Sequence, residues 1–172
     1  IGKEVALRAN AFGMKVVGFD LYWDSEFAEK YGVQRCESAE QALIQADVVS
    51  LHVNLSGETR DLINRERISR MKKGVVILNC ARGEIVNTSD MIEGLESGQV
   101  GGYGTDVLDI EPTPAYHPML RAPNTIITPH IGSRTYESVE RQATMAVQNL
   151  ILALRGEKPL AQANEVLLTA HI

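Results

Sequence analysis

Cysteine is scarce: Cys36 and Cys80 are the only two and no C-x-x-C pair occurs, which excludes a disulfide framework or a cysteine-built zinc site and fits a reducing cytosol. Long apolar runs are absent. None approaches the ~20 residues that span a bilayer, so a membrane-spanning helix is excluded. Positive charge is in deficit, with 17 Lys+Arg against 22 Asp+Glu for a net charge of -5, and the basic footprint that drives nucleic-acid binding is lacking. An initiator methionine is lacking too. The chain begins with Ile1, no charged-then-apolar signal segment explains this, and residue 1 therefore reads as a cut end.

What is present fits one globular domain: 172 residues, 44% hydrophobic and 23% charged, too apolar for long disorder. Short β-branched runs alternate with segments of helical apolar spacing. The runs predict strands at 15–19 (KVVGF), 47–53 (DVVSLHV), 75–80 (VVILNC), 102–107 (GYGTDV) and 125–128 (TIIT). The spacing predicts helices near 3–12, 39–45, 65–71 and 89–97. Strand and helix in alternation give an α/β domain with a mostly parallel sheet of buried strands. Beyond the last strand, Val139, Ala143, Ala146, Val147, Leu150, Ile151 and Leu154 predict a long amphipathic helix ending at Gly156, with Pro159 just past it. No repeat, low-complexity tract or linker divides the chain. One domain is expected over 1–156, followed by a tail, 157–172.

Near the start, Gly2 opens a predicted helix and Asp20 ends the following strand, eighteen positions on. That spacing suits the last glycine of a G-x-G-x-x-G turn and the acidic residue that accepts hydrogen bonds from an adenosine ribose. Helix-start N–H groups near Ile1 and Gly2 would hold a pyrophosphate. The charge of Asp20 repels a 2′-phosphate and no Arg follows among Leu21, Tyr22 and Trp23, which favours NAD over NADP.

Three later strand ends carry ionisable groups, and ligands of open parallel sheets bind at the carboxyl ends of strands. Arg82 stands in Asn79-Cys80-Ala81-Arg82-Gly83, where a planar guanidinium could clamp a carboxylate. Glu111 precedes Pro112 and His130 follows Pro129, each in a loop that a proline stiffens. His is the side chain suited to proton transfer near neutral pH, and a carboxylate beside it holds one tautomer. Other candidates take plain readings: His52 is a packed mid-strand histidine, His117 lies in a Pro-rich loop, His171 in the tail, and Cys36 is a small apolar residue. Arg65–Arg70 reads as a solvated helix face, and no His/Asp/Glu cluster has metal spacing.

The segments AFGMKVVGFD, ADVVSLHVNLSGETRDLIN, MKKGVVILNCARGEIVN, GTDVLDIEP and NTIITPHIG, in this order and spacing, resemble the coenzyme-binding domain of the D-isomer-specific 2-hydroxyacid dehydrogenases from Ile1 to about Leu154. The resemblance implies a Rossmann-type doubly wound parallel sheet, NAD as cofactor, and hydride transfer between nicotinamide and C2 of a D-2-hydroxy or 2-keto acid. It implies Arg82 as the substrate-carboxylate arginine, Glu111 as partner of His130, and His130 as general acid/base. Asp106 would contact the nicotinamide carboxamide, Cys80 and Ala81 would line the nicotinamide pocket, and Val53, Asn54 and Gly132 would border the dinucleotide. Asn54 replaces the usual Pro of H-x-P-L, which restores a backbone donor and is expected to loosen that loop, and Cys80 replaces the common Thr or Ser. Similar formate dehydrogenases carry Gln where Glu111 stands, which argues against formate; phosphite oxidation is rare. A cytoplasmic homodimer is implied for the full-length protein. An alternative from another class is an NAD-sensing corepressor of the same fold, which keeps the triad but acts by binding protein partners.

The resemblance also implies a substrate domain absent from this chain, with 157–172 as the start of the return to it. The domain's first strand is expected upstream of Ile1, ending in G-x-G, between the strands that end at Asp20 and Val53. Without it the sheet exposes unpaired backbone and lacks most of the pyrophosphate turn. The 172 residues expressed alone are therefore expected to bind NADH poorly and to turn over no substrate. NADH titration and a turnover assay check this, and millisecond-scale turnover by the isolated chain would refute it.

Overall fold

The computed structural model describes residues 1–162 and divides the chain into two compact units, Ile1–His130 and Ile131–Ile172. Most of the tail 157–172, with His171, lies outside the described residues.

In the first unit helices and strands alternate: α1 (Gly2–Ala11), β1 (Val17–Gly18), α2 (Ser25–Tyr31), β2 (Gln34–Arg35), α3 (Ala39–Gln45), β3 (Val48–Leu51), α4 (Arg65–Arg70), β4 (Val75–Asn79), α5 (Thr88–Glu96), β5 (Val100–Thr105) and β6 (Thr125–Ile127). Every pairing is parallel. β1 pairs with β2, and β3-β4-β5-β6 form a four-stranded sheet in that order. This is the parallel α/β architecture that the alternating periods predict, in the Rossmann-like form that the resemblance implies. The sheet stands in two parts, because among the described residues no strand lies between β1 and β3.

Local chemistry starts and stops these helices. Asp24, Ser38, Asn64 and Asn87 each accept a hydrogen bond from the N–H three residues on, capping α2, α3, α4 and α5. Gly32, at φ +64°, ends α2 in the left-handed conformation that costs glycine nothing. The carboxamide of Gln99 donates to the carbonyls of Ile68 and Met71, closing the end of α4.

The core lies on one face of the four-stranded sheet. Val49 and Leu51 from β3, Val75 and Ile77 from β4 and Tyr103 from β5 pack with Ile68, Met91 and Leu95 from the helices. Gly94 of α5 brings that helix onto β5: a Cβ there would lie 2.9 Å from Val100 Cγ2. Burial pushes the Tyr103 hydroxyl above its ordinary pKa. The alternate positions Val48, Leu78 and Ile126 are exposed, so the strands that read as buried are buried on one face of this sheet.

Three further corrections follow from pairing in space. β2 and α2 escape the sequence pattern because β2 is two polar, exposed residues and the buried residue of α2 is the small Ala28. β5 starts at Val100, ahead of the predicted 102, because Gly101 lets the strand pass the backbone of Gly74, where a Cβ would lie 2.5 Å from the carbonyl oxygen. The 65–70 face is more than solvated, since Arg67 and Arg70 both pair with Glu40 and Arg67 also donates to the Leu62 carbonyl.

The second unit holds α6 (Tyr136–Leu154), capped by Thr135 and stopped at Arg155 before Gly156, as its apolar spacing predicts. Asn149 accepts hydrogen bonds from the N–H groups of Leu160 and Ala161, folding the following segment back on the helix. No helix among the described residues is long and apolar enough to cross a membrane.

Ile77, wholly buried at the centre of β4, is the strictest test of this core. Ile77→Ala is expected to cost about 2–5 kcal/mol through lost transfer energy and the cavity left behind. The urea unfolding midpoint measures it, and an unchanged midpoint would contradict the packing described.

Candidate active site

Three parallel strands end side by side, and hydrogen bonds lock their ends together. The Asp106 N–H donates to the Asn79 carbonyl at 3.0 Å, the Thr128 N–H to the Thr105 carbonyl at 2.9 Å, and the Thr128 hydroxyl to Asp106 Oδ1 at 2.5 Å. The loops that leave β4, β5 and β6 therefore start from a fixed row. These loops carry Arg82, Glu111 and His130.

On β4, Asn79 is wholly buried and its carboxamide shapes the next turn. Its Oδ1 accepts from the Ala81 N–H at 3.0 Å and its Nδ2 donates to the Arg82 carbonyl at 2.9 Å. The turn leaves the Arg82 side chain exposed, its guanidinium donating to the Ala81 carbonyl at 2.6 Å. Next along the chain, Gly83 meets the backbone of the β5 loop. A Cβ at Gly83 would lie 2.0 Å from the Leu108 carbonyl carbon and 2.3 Å from the Asp109 nitrogen. Only a residue without a side chain allows the two loops to touch this closely.

Beyond that contact the β5 loop turns on Glu111. The Leu108 N–H donates to Glu111 Oε1 at 3.2 Å, and Glu111 Oε2 lies 2.6 Å from His130 Nδ1. The Glu111–Pro112 peptide bond is cis. A carboxylate can only accept, so Nδ1 carries the proton and Nε2 is the nitrogen that exchanges protons with a ligand. Among the described residues the ring makes no other hydrogen bond. Both partners stay partly open, 44% for His130 and 37% for Glu111, so a small acid can reach them. His130 has φ +52°, a left-handed backbone that a non-glycine residue adopts at functional sites.

Of the three residues expected from sequence, the structure joins Glu111 and His130 directly. The Arg82 guanidinium bonds to neither, and its link to them is the Gly83 contact. His52 lies just beyond β3 rather than within it, with Nε2 2.9 Å from the Ser50 hydroxyl; desolvation of its ring, with the nearby N-terminal charge, lowers its pKa. At Asn54 the backbone carbonyl accepts from the Thr59 hydroxyl at 2.6 Å, and that hydroxyl also takes the Ser56 N–H. Sequence reasoning passed over Asn79, the Leu108 amide, Thr128 and the pair His117–Asp109. Asn two residues before an N–H it accepts from is an Asx turn, the one signal that was legible.

The dinucleotide positions fit their expected ligand. α1 begins at Gly2 with no side-chain cap from Ile1, leaving first-turn N–H groups for an anion. A Cβ on Gly2 would lie 3.4 Å from the His52 ring, so this helix start sits at the end of β3, near Val53 and Asn54. Asp20 Oδ1 accepts from the Tyr22 N–H, while Oδ2 has no hydrogen bond among the described residues. Arg35, opposite Gly18 in the β1–β2 register, places its guanidinium 5.7 Å from the Trp23 ring. Asp106 is buried beside Asn79, and Cys80 is exposed next to Ala81. Gly132 belongs to the second unit. Among the described residues no group of three potential metal ligands occurs. An open hollow of about 520 Å³, lined by Asp61, Glu84, Asn87 and Asp109, holds none of the three candidate residues.

Residues 1–132 match the family model described as D-isomer specific 2-hydroxyacid dehydrogenase, NAD binding domain. The chain is 39% identical over 157 residues to D-3-phosphoglycerate dehydrogenase of Methanocaldococcus jannaschii, covering 91% of this chain and 30% of that protein. It is 37% identical over 172 residues to glyoxylate reductase of Thermofilum pendens, covering 98% of this chain and 50% of that protein. The crystal structure of D-lactate dehydrogenase with NAD+ from Lactobacillus jensenii superposes with a TM-score of 0.86 at 30% identity, covering 96% of this chain and 53% of that one. The chain thus spans about a third to a half of the length of these relatives.

The tightest steric demand at the site falls on Gly83. Gly83→Ala is expected to cost about 1–3 kcal/mol or more by overpacking and to push the Leu108–Asp109 backbone away. Denaturant unfolding and a crystal structure of the variant check this; an unchanged midpoint with the 2.6 Å Glu111–His130 contact intact would refute it.

Proposed function

The chain belongs to the NAD-dependent D-isomer specific 2-hydroxyacid dehydrogenases, in their NAD-binding domain, and from that premise we propose that its three strand-end loops transfer a hydride to and from C2 of a small 2-hydroxy or 2-keto acid. The observation that supports this most directly is Glu111 bound at one oxygen by the Leu108 amide and at the other by His130 Nδ1, 2.6 Å away. An imidazole held this way by a carboxylate is oriented for acid/base work at Nε2.

When bound, NAD supplies the hydride chemistry. Gly2 and the first-turn amides of α1 would take its pyrophosphate, Asp20 its adenosine ribose, and Asp106 its carboxamide. Ile1, Val53, Asn54, Cys80, Ala81 and Gly132 would line its path. In the reductive direction C2 gains a hydride, the carbonyl electron pair moves onto oxygen, and that oxygen takes the proton from His130 Nε2. Glu111 offsets the positive charge the ring carries before transfer. Arg82 holds the substrate carboxylate and offsets charge growing on the carbonyl oxygen. In the oxidative direction Nε2 takes the hydroxyl proton back.

The three reported relatives are named for phosphoglycerate, glyoxylate and lactate chemistry, so a small 2-hydroxy or 2-keto acid is the substrate class proposed. None of them is a corepressor. A cytoplasmic homodimer completes the reading proposed for the intact protein.

In the intact protein, His130→Ala is expected to lower kcat about 10²–10⁴-fold while NADH affinity stays within about twofold, because the lost group acts on the proton and not on the dinucleotide. Steady-state kinetics and NADH fluorescence titration measure the two effects. Near-normal turnover in the variant would sink the assignment of His130.

A further inference from the structure

A second imidazole–carboxylate pair lies in the same loop as Glu111. His117 is wholly buried, its Nε2 stands 2.9 Å from Asp109 Oδ1, and its Nδ1 accepts from the Met119 N–H at 3.3 Å. An amide N–H can only donate, so Nδ1 is the acceptor and the ring proton sits on Nε2, donating to Asp109. Both ring nitrogens are therefore satisfied with the imidazole neutral. The His117 N–H donates in turn to the Pro114 carbonyl and its carbonyl accepts from Leu120.

This pair ties down both ends of the loop. Asp109 follows Leu108, whose amide holds Glu111, and its backbone nitrogen rests against Gly83. On the other side, Met119 opens the short 3₁₀ turn Pro118–Arg121 that leads to β6 and His130. Between the two, residues 110–116 have few anchors of their own: Thr113 bonds to the Ile110 carbonyl, and Ile110 and Tyr116 are exposed. Together with the Leu108 amide on Glu111 Oε1, the bond from His117 to Asp109 closes the base of this arch and so bears on how far Glu111 stands from His130.

We propose that His117 and Asp109 are positioning residues that set the Glu111–His130 contact by clasping the base of the Glu111 loop. The inference rests on reading Glu111 and His130 as the proton-transfer pair. Neither clasp residue touches substrate or cofactor in this role, so their loss acts on kcat and on the His130 environment, not on dinucleotide binding. Misplacing a catalytic group by about 1 Å can cost on the order of 10²-fold in rate.

The test uses the intact dehydrogenase and substitutes Asp109, the partly exposed member of the pair. Asp109→Ala removes the acceptor, whereas Asp109→Asn keeps an oxygen in its place. The expected result is a kcat at least about tenfold lower in Asp109→Ala, an NADH dissociation constant within about twofold of the parent, and recovery of kcat in Asp109→Asn. In the proton NMR spectrum the downfield imidazole N–H of the His130–Glu111 bond broadens or vanishes in Asp109→Ala and persists in Asp109→Asn. A wild-type kcat and an unshifted resonance in Asp109→Ala would overturn the clasp, as would an equal loss of NADH affinity, which marks general damage. Should Asp109→Ala fail to fold, His117→Gln and His117→Asn decide, because only the Gln amide reaches Asp109 as Nε2 does. Loss in Asn with retention in Gln supports the clasp, and equal activity in both overturns it. If the parent reduces no 2-keto acid, the dehydrogenase reading fails while the resonance still decides the clasp.

Discussion

One buried side chain, Asn79, organises the site. It has no exposure to water, so both ends of its carboxamide must find partners inside the protein or cost about 1–3 kcal/mol apiece. It finds them in the Ala81 N–H and the Arg82 carbonyl, which fixes the turn that presents Arg82. Its backbone carbonyl takes the Asp106 N–H, with the Thr105 hydroxyl 3.0 Å away, and so ties the end of β4 to the end of β5. A Leu of similar size would fill the space yet leave those groups unpaired. The polar residue in the core is thus explained by the backbone around it.

From that anchor the geometry passes outward by contact. Arg82 is followed by Gly83, Gly83 touches Leu108, and the Leu108 amide holds the carboxylate that meets His130. Each step links atoms of neighbouring loops, so the loops are placed mutually rather than one by one. The cost shows at His130, whose φ of +52° is unusual for a side chain with a Cβ. Among the described residues its ring is bound at Nδ1 alone, by Glu111.

The strand ends and the helix α6 were legible because apolar periodicity is a local property, and the chemistry-bearing residues were legible because they stand beside Gly or Pro at those ends. Glu111 and His130 could be paired from sequence only through resemblance; nothing in the eighteen intervening residues encodes the 2.6 Å distance. His117 shows the limit most clearly. A histidine among prolines reads as exposed loop, yet it is buried because Asp109 and the Met119 amide, both supplied by the fold, satisfy its two nitrogens. β2 was illegible for a related reason: two polar residues form a strand only because Val17 and Gly18 lie alongside. Buried strands were legible from β-branched runs, but which sheet face is covered depends on a second layer that those runs do not locate.

The two parts of the sheet carry different ends of the expected dinucleotide path, Asp20 beside β1 and the proton-transfer pair beyond β5 and β6. No strand hydrogen bond joins them among the described residues. The helix α1 does: Lys3 pairs with Asp24 and lies over the Phe27 ring, Asn10 donates to the Tyr31 carbonyl at 2.6 Å, and Gly2 rests by the His52 ring. The Lys3 ammonium holds the Asp24 carboxyl below its ordinary range, but both groups are well exposed, and such pairs add little stability. One helix therefore touches both α2, which follows Asp20 in the chain, and His52 at the end of β3. A ligand that engages Asp20, the α1 amides and Asp106 together would bind only the arrangement in which all three face it, and by mass action would stabilise that arrangement. The cofactor's length would then serve as the gauge that sets one half of the sheet against the other.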